Sequence, residues 1–185
     1  ADYGDSQYQS SIMHNKFFIF DKKTVLTGSA NISFTDLSGF NSNAIVLINS
    51  PEIAQIYEKE FEQMYNNKFH NKKSKISNKE NILLGDSIVS VYFSPTDRII
   101  TEKIIPLINN AHKYIYIPAF VITHKRFTQA LINAKERGVE IHVILDATNA
   151  RNQHTTHELL RKNHILVKTE NYAGKMHAKS MIIDD

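Results

Sequence analysis

The sequence predicts an α/β fold, with a mixed, largely parallel sheet flanked by helices. Three observations predict it. From Ser87 onward, short apolar strands alternate with helical segments, the order that gives sheet and helix layers with parallel pairings. Ser50-Pro51-Glu52 makes a helix start, and apolar residues follow it at helical spacing. Two apolar strands carry one repeated spacing, His-x-Lys-x-x-x-x-Asp, at His14 to Asp21 and at His177 to Asp184.

Composition agrees with a packed core. The 185 residues are 42% hydrophobic and 22% charged, as in an ordinary globular protein. No run approaches 18 apolar residues, so nothing reads as a membrane-spanning helix. Residues 1 to 12 lack the basic-then-apolar order of a signal peptide. The absence of cysteine excludes disulfides and thiolate metal sites and leaves the compartment open. A net charge of +3 permits polyanion binding without demanding it.

Taken in order, residues 1 to 11 read as a polar loop. Phe17 to Phe20 favour extended structure, and Asp21-Lys22-Lys23 forms the turn to a second short strand. Ser33 to Asn43 reads as a loop, and Ala44 to Ile48 as a strand. The helix from Ser50 lines up Ile53, Ile56, Tyr57, Phe61, Met64 and Tyr65 for core packing. Residues 66 to 81 are rich in Asn and Lys and lack periodicity, which suits a solvated linker or a phosphate-contacting stretch. Further on, Ser87 to Phe93 is a strand and Ser94 to Asp97 a turn. Ile99 to Lys113 is a helix that Pro106 kinks or starts, with Leu107 and Ile108 on its apolar face. Tyr114 to Ala119 is a strand, and Thr123 caps a helix that Gly138 ends. Val139 to Leu145 is a strand buried on both faces. His154 to Asn163 is a short helix, Ile165 to Thr169 a strand, and Met176 to Ile183 the second motif strand.

The repeated motif carries the chemistry. Its recurrence far exceeds chance for a pattern this short. In a strand, His14 and Lys16 share a face, roughly 7 Å apart along the chain. Gly28-Ser29-Ala30-Asn31 adds a hydroxyl and an amide where the second strand returns. Imidazole, ammonium, hydroxyl and amide together suit a phosphodiester anion. Lys16 and Lys179 would neutralise phosphoryl oxygens, and Ser29 and Asn31 would bind them. Two imidazoles, one neutral and one protonated, suit nucleophilic attack and proton donation near neutral pH.

On these residues the sequence resembles the phospholipase D superfamily, whose members carry two such motifs, each usually followed by Gly-Ser-x-Asn. It most resembles bacterial, two-motif, nuclease-like members. The resemblance implies phospholipase D-like lobes, a phosphohistidine intermediate, and neither metal nor other cofactor. By analogy, His14 is the nucleophile and His177 the acid, with the reverse assignment open; Asp21 and Asp184 act structurally. Relatives often follow Gly-Ser-x-Asn with a Glu that orients the histidine, where this chain has Asn41-Ser42-Asn43.

Residues 1 to 66 then read as the back half of a first lobe, 67 to 84 as a basic linker, and 85 to 185 as the front half of a second. The expected arrangement is an internal slice of a two-lobe protein, weak or inert in isolation. A rival is two halves that complete each other as a permuted lobe. The expected substrate is nucleic acid, DNA favoured, with phospholipid as the alternative and an inactive binding module as a second alternative. The lobes would pair within one chain or across a homodimer. His154 and His157 read as surface residues rather than metal ligands. Asp146 ends a strand where α/β folds place functional groups.

Overall fold

A computed structural model describes residues 12–170 and 172–184, so the expected loop at residues 1–11 lies outside it. The chain forms two compact units, Ala1–Thr27 with Val46–Ile99, and Gly28–Ile45 with Ile100–Asp185. Each unit gathers segments that are distant in sequence.

In the first unit, β1 (Phe17–Phe20) and β2 (Thr24–Gly28) form an antiparallel hairpin in register Phe17↔Thr27 to Phe20↔Thr24. Asp21 and Lys22 turn it at φ 49 and 55. β3 (Ile45–Asn49) joins the other edge of β2. Alternation sends Phe17, Ile19, Val25 and Ile48 to one face, where they pack with Ile53, Ala54 and Ile56. Phe18 and Phe20 stack on the opposite, open face.

α2 (Pro51–Tyr65) starts as the sequence predicts, with the Ser50 hydroxyl accepting from Ile53 N at 3.3 Å. Its apolar stripe is longer than its buried face: Phe61 and Tyr65 are exposed and stack on each other. The following basic stretch is only partly solvated. Lys68, Lys72 and Lys75 are exposed, whereas the side chains of Lys73 and Lys79 are buried in ion pairs with Glu60 and Asp97, each at 2.6 Å. Ile76 and Ile82 anchor this stretch in the core. The strand expected at 87–93 is instead the second arm of a short hairpin, β4 (Ile82–Leu84) with β5 (Ser87–Val89), turned at Gly85.

In the second unit, α1 (Phe34–Leu37) interrupts the loop expected at 33–43, because Ser33 caps it by accepting from Asp36 N. A π-helical turn, Ile100–Ile104, runs into α3 (Ile105–Asn109), with Pro106 in its first turn. Leu107, expected inward, is exposed, while Ile108 is fully buried. β6 (Tyr114–Ala119), β7 (Glu140–Asp146) and β8 (Leu166–Glu170) pair in parallel, and β9 (Ile182–Ile183) adds antiparallel to β6, giving the order β8-β7-β6-β9. This is the mixed, largely parallel sheet the sequence predicts.

α4 (Lys125–Glu136) is capped by His124 rather than Thr123, the ring Nδ1 accepting from Phe127 N at 3.2 Å. It ends at Gly138, φ 93. α5 (His157–Lys162) is shorter than expected. Ile108, Leu131, Ala134 and Leu160 of the helices cover Ile115, Ile141, Val143 and Leu145 of the sheet. β7 alternates, so it is not buried on both faces: Glu140, His142 and Ile144 are exposed. His157 is buried, its Nε2 paired with Glu158 at 2.9 Å, which corrects its reading as a surface residue; His154 is exposed.

Candidate functional site

Each motif is built by the unit that holds it. In the first unit, His14 and Lys16 precede β1 rather than lying within it. Lys16 Nζ donates to the His14 carbonyl at 3.0 Å, and Thr27 Oγ1 donates to the Lys16 carbonyl at 3.1 Å. Asn15, between them, is tied to α2: its Nδ2 donates to Glu60 Oε1 at 3.0 Å. Glu60 is 1% exposed, and Lys73 holds the same oxygen while also donating to the Ser94 carbonyl. His14, Asn15, His70 and Lys73 line a small cavity in this unit. Asp21 sits exposed in the β1–β2 turn.

The second motif is stitched into its unit along its length. Asp146, at the end of β7, accepts from Asn149 and from Met176 N at 3.2 Å, which fixes the approach to His177. Segment 41–43 runs beside 175–177: Ser42 N donates to Lys175 O and His177 N to Ser42 O, both at 2.8 Å. Gly174 is required there, since a Cβ would collide with the Phe40 carbonyl. Beyond His177, Lys179 bridges to Ala119, and its Nζ donates to the His177 carbonyl at 2.7 Å. Phe120 lies edge-on to the His177 ring at 5.1 Å.

Asp184 closes the motif. Its carboxylate accepts from His112 N at 2.7 Å, Lys113 N at 2.9 Å and Tyr114 N at 3.0 Å, at the start of β6. The main-chain donors at His112, Tyr114 and Lys113 hold its carboxyl below the usual range, against a smaller push from desolvation.

Ser29 follows the first motif in sequence, yet it belongs to the unit of the second. It is buried; its Oγ donates to Asn43 Oδ1 at 2.9 Å and accepts from Ala44 N at 3.0 Å. Gly28 permits this return, because a Cβ would strike the Ala44 carbonyl. The same Asn43 Oδ1 faces His177 Nδ1 at 3.0 Å. Asn31 Nδ2 is committed to the Asp36 carboxylate at 2.5 Å. The structure therefore joins Ser29, Asn43 and His177 in one hydrogen-bonded group and leaves Asn31 one step away, through Asp36. Asn43, in the segment where relatives often carry the orienting Glu, is thus hydrogen-bonded to the second motif histidine.

Sequence reasoning missed Asp36. Its only signal is the placement of Asn31, Asn41 and Asn43 around one acid. Among the described residues, no group of three or more His, Cys, Asp or Glu is placed to hold a metal ion.

A family model described as "Cardiolipin synthase, PLD-like domain" matches residues 3–65 and 104–185. The chain belongs to this family, and with it to the phospholipase D superfamily. Phospholipase D of Rickettsia conorii is 34% identical over 101 residues, 55% of this chain and 50% of that protein. The chain thus spans about half the length of the curated relatives it matches. Phosphatidylserine synthase of Haemophilus influenzae Rd KW20 shares the fold over 93% of this chain and 52% of its own, with TM-score 0.60 and 14% identity. NucT from Helicobacter pylori is similar over 47% of this chain and 61% of its own, with TM-score 0.42 and 26% identity.

Proposed function

We propose that the protein is a metal-independent phosphodiesterase acting on nucleic acid, with DNA the favoured substrate. The observation that carries the reaction class is the His177 ring, held through Nδ1 with Lys179 beside it and the Ser29 hydroxyl on the same amide oxygen. One motif histidine attacks phosphorus through Nε2; a P–N bond forms, the P–O bond to the leaving oxygen breaks, and the imidazolium of the other motif gives that oxygen its proton. Water, losing a proton to the second ring, then attacks phosphorus; the P–N bond breaks and both histidines are regenerated. Lys16 and Lys179 offset the phosphoryl charge. In this reading, residues 1–66 and 85–185 derive from two lobes that pair within one chain or across a homodimer. The separate family matches at 3–65 and 104–185 support that division.

Exposed Lys68, Lys72 and Lys75 and the net charge of +3 support a polyanionic substrate. A phospholipid is the second reading. It is supported by Ile32, Phe34 and Leu37, 77%, 86% and 62% exposed just after Asn31, and by relatives called phospholipase D. The test incubates the full-length protein, in chelator, with single- and double-stranded DNA, RNA and phosphatidylcholine vesicles. Chelator-resistant DNA cleavage that declines with salt is the expected result. Head-group release with intact nucleic acid would replace the first reading with the second.

A further inference from the structure

Asp36 is buried, and the reaction proposed above makes no use of it. Four donors converge on its carboxylate: Asn31 N at 2.8 Å, Asn31 Nδ2 at 2.5 Å, Asn41 Nδ2 at 2.6 Å and Asn43 Nδ2 at 3.2 Å. Burial pushes the carboxyl up, but the hydrogen bonds from Asn41, Asn31 and Asn43 outweigh it and hold Asp36 well below the ordinary carboxylate range. The group is a fixed anion, and its partners are neutral amides.

The consequence falls on Asn43. One end of an amide only donates and the other only accepts. Asn43 Nδ2 faces the Asp36 carboxylate, with the Asn41 and Asp36 carbonyls at 3.3 and 3.5 Å. Flipping the amide would set its oxygen against an anion and two carbonyls. The anion therefore decides the orientation, and Oδ1 turns toward Ser29 Oγ and His177 Nδ1. A carbonyl oxygen cannot donate, so His177 carries a proton on Nδ1, and the neutral ring has its lone pair on Nε2. A neutral amide oxygen also stabilises an imidazolium less than a carboxylate would. Nε2 is thus the reacting nitrogen of this ring, in attack as in proton donation.

We propose that Asp36 is a positioning residue for His177, fixing it through Asn43 as the Nδ1–H tautomer with Nε2 as the reacting nitrogen. This rests on the phosphodiesterase reading for its chemical role.

The experiment is long-range proton–nitrogen NMR of the full-length protein carrying ¹⁵N-histidine, with His177 assigned through His177→Gln. The ring is expected as the Nδ1–H tautomer, the less common form of a free histidine side chain. Asp36→Asn is expected to abolish that preference and to lower kcat roughly 10- to 100-fold, the range for loss of an outer-shell partner, with little change in KM. An Nε2–H tautomer in the wild type or an unchanged tautomer in Asp36→Asn would each overturn the proposal. The wild-type spectrum decides even where the variant fails to fold. A protein that cleaves no phosphodiester yet shows the tautomer and its loss in Asp36→Asn would sink the activity reading and uphold the positioning role.

Discussion

The two motifs share a spacing and a local geometry but not a support. In both, the lysine ammonium donates to the carbonyl of its own histidine, at 3.0 Å for Lys16 and 2.7 Å for Lys179. In both, the aspartate takes a left-handed backbone, φ 49 at Asp21 and 39 at Asp184. These features are local, and identical spacing reproduces them. The supports differ. The middle residue of the first motif, Asn15, reaches a buried Glu60–Lys73 pair, whereas the second motif has buried Ala178 there and is held at His177 itself. Asp184 gathers three main-chain donors, while Asp21 stands at an exposed turn. One sequence pattern therefore fixes the conformation of a few residues, and the surrounding unit decides which atom of the motif is made rigid.

Four sets of substitutions would break or sharpen this comparison. Replacing either motif histidine should cost most: His14→Asn and His177→Asn in the full-length protein should each lower kcat about 10⁴-fold, as for groups that act as a unit, with unfolding curves unchanged. Activity surviving one of them would show that the motifs are not equivalent partners.

Glu60→Ala comes next. It leaves Lys73 buried without its carboxylate and releases Asn15, and should destabilise the first unit by about 3–5 kcal/mol in urea unfolding. A smaller loss would mean that the first motif does not depend on this anchor.

Gly174→Ala should cost about 1–3 kcal/mol, because the added methyl must displace the Phe40 carbonyl and with it the 41–43 ladder beside His177. Its activity loss should exceed its stability loss if alignment of His177 is what the ladder supplies.

The smallest effects separate the aspartates. Asp184→Asn should lower the melting temperature, and Asp21→Asn should change stability by no more than about 0.5 kcal/mol, as at an ordinary surface site. Acid sharpens the same contrast. Asp36 and Asp184 both lie below their unfolded values, so each stabilises the second unit above about pH 4. That contribution falls away as pH drops through the folded values, and Asp36→Asn should flatten the decline. A decline of equal steepness in the variant would remove Asp36 from the account.

Much of the fold was legible from periodicity. β6 begins and ends where apolar spacing placed it, and α2 begins at Ser50, because side-chain alternation and cap chemistry act within a few residues. Errors arose where a neighbour distant in sequence decides burial. Phe61 and Leu107 look like core and are exposed; Lys73 and Lys79 look like solvated charge and are buried, because Glu60 and Asp97 await them.

For the site, the sequence by itself determined the inventory: two His-x-Lys-x4-Asp motifs, a Gly-Ser-x-Asn, and an amide where relatives often carry a carboxylate. Spacing along one chain is enough for that, since repetition of a short pattern is independent of folding. Tertiary structure alone decided that Asn43 hydrogen-bonds both Ser29 and His177, and that Asp36 accepts from the other end of its amide. Hydrogen bonds need atoms about 3 Å apart. Residues 43 and 177 meet that distance only through the return of 41–43 along 175–177, a pairing that no local preference of either segment encodes.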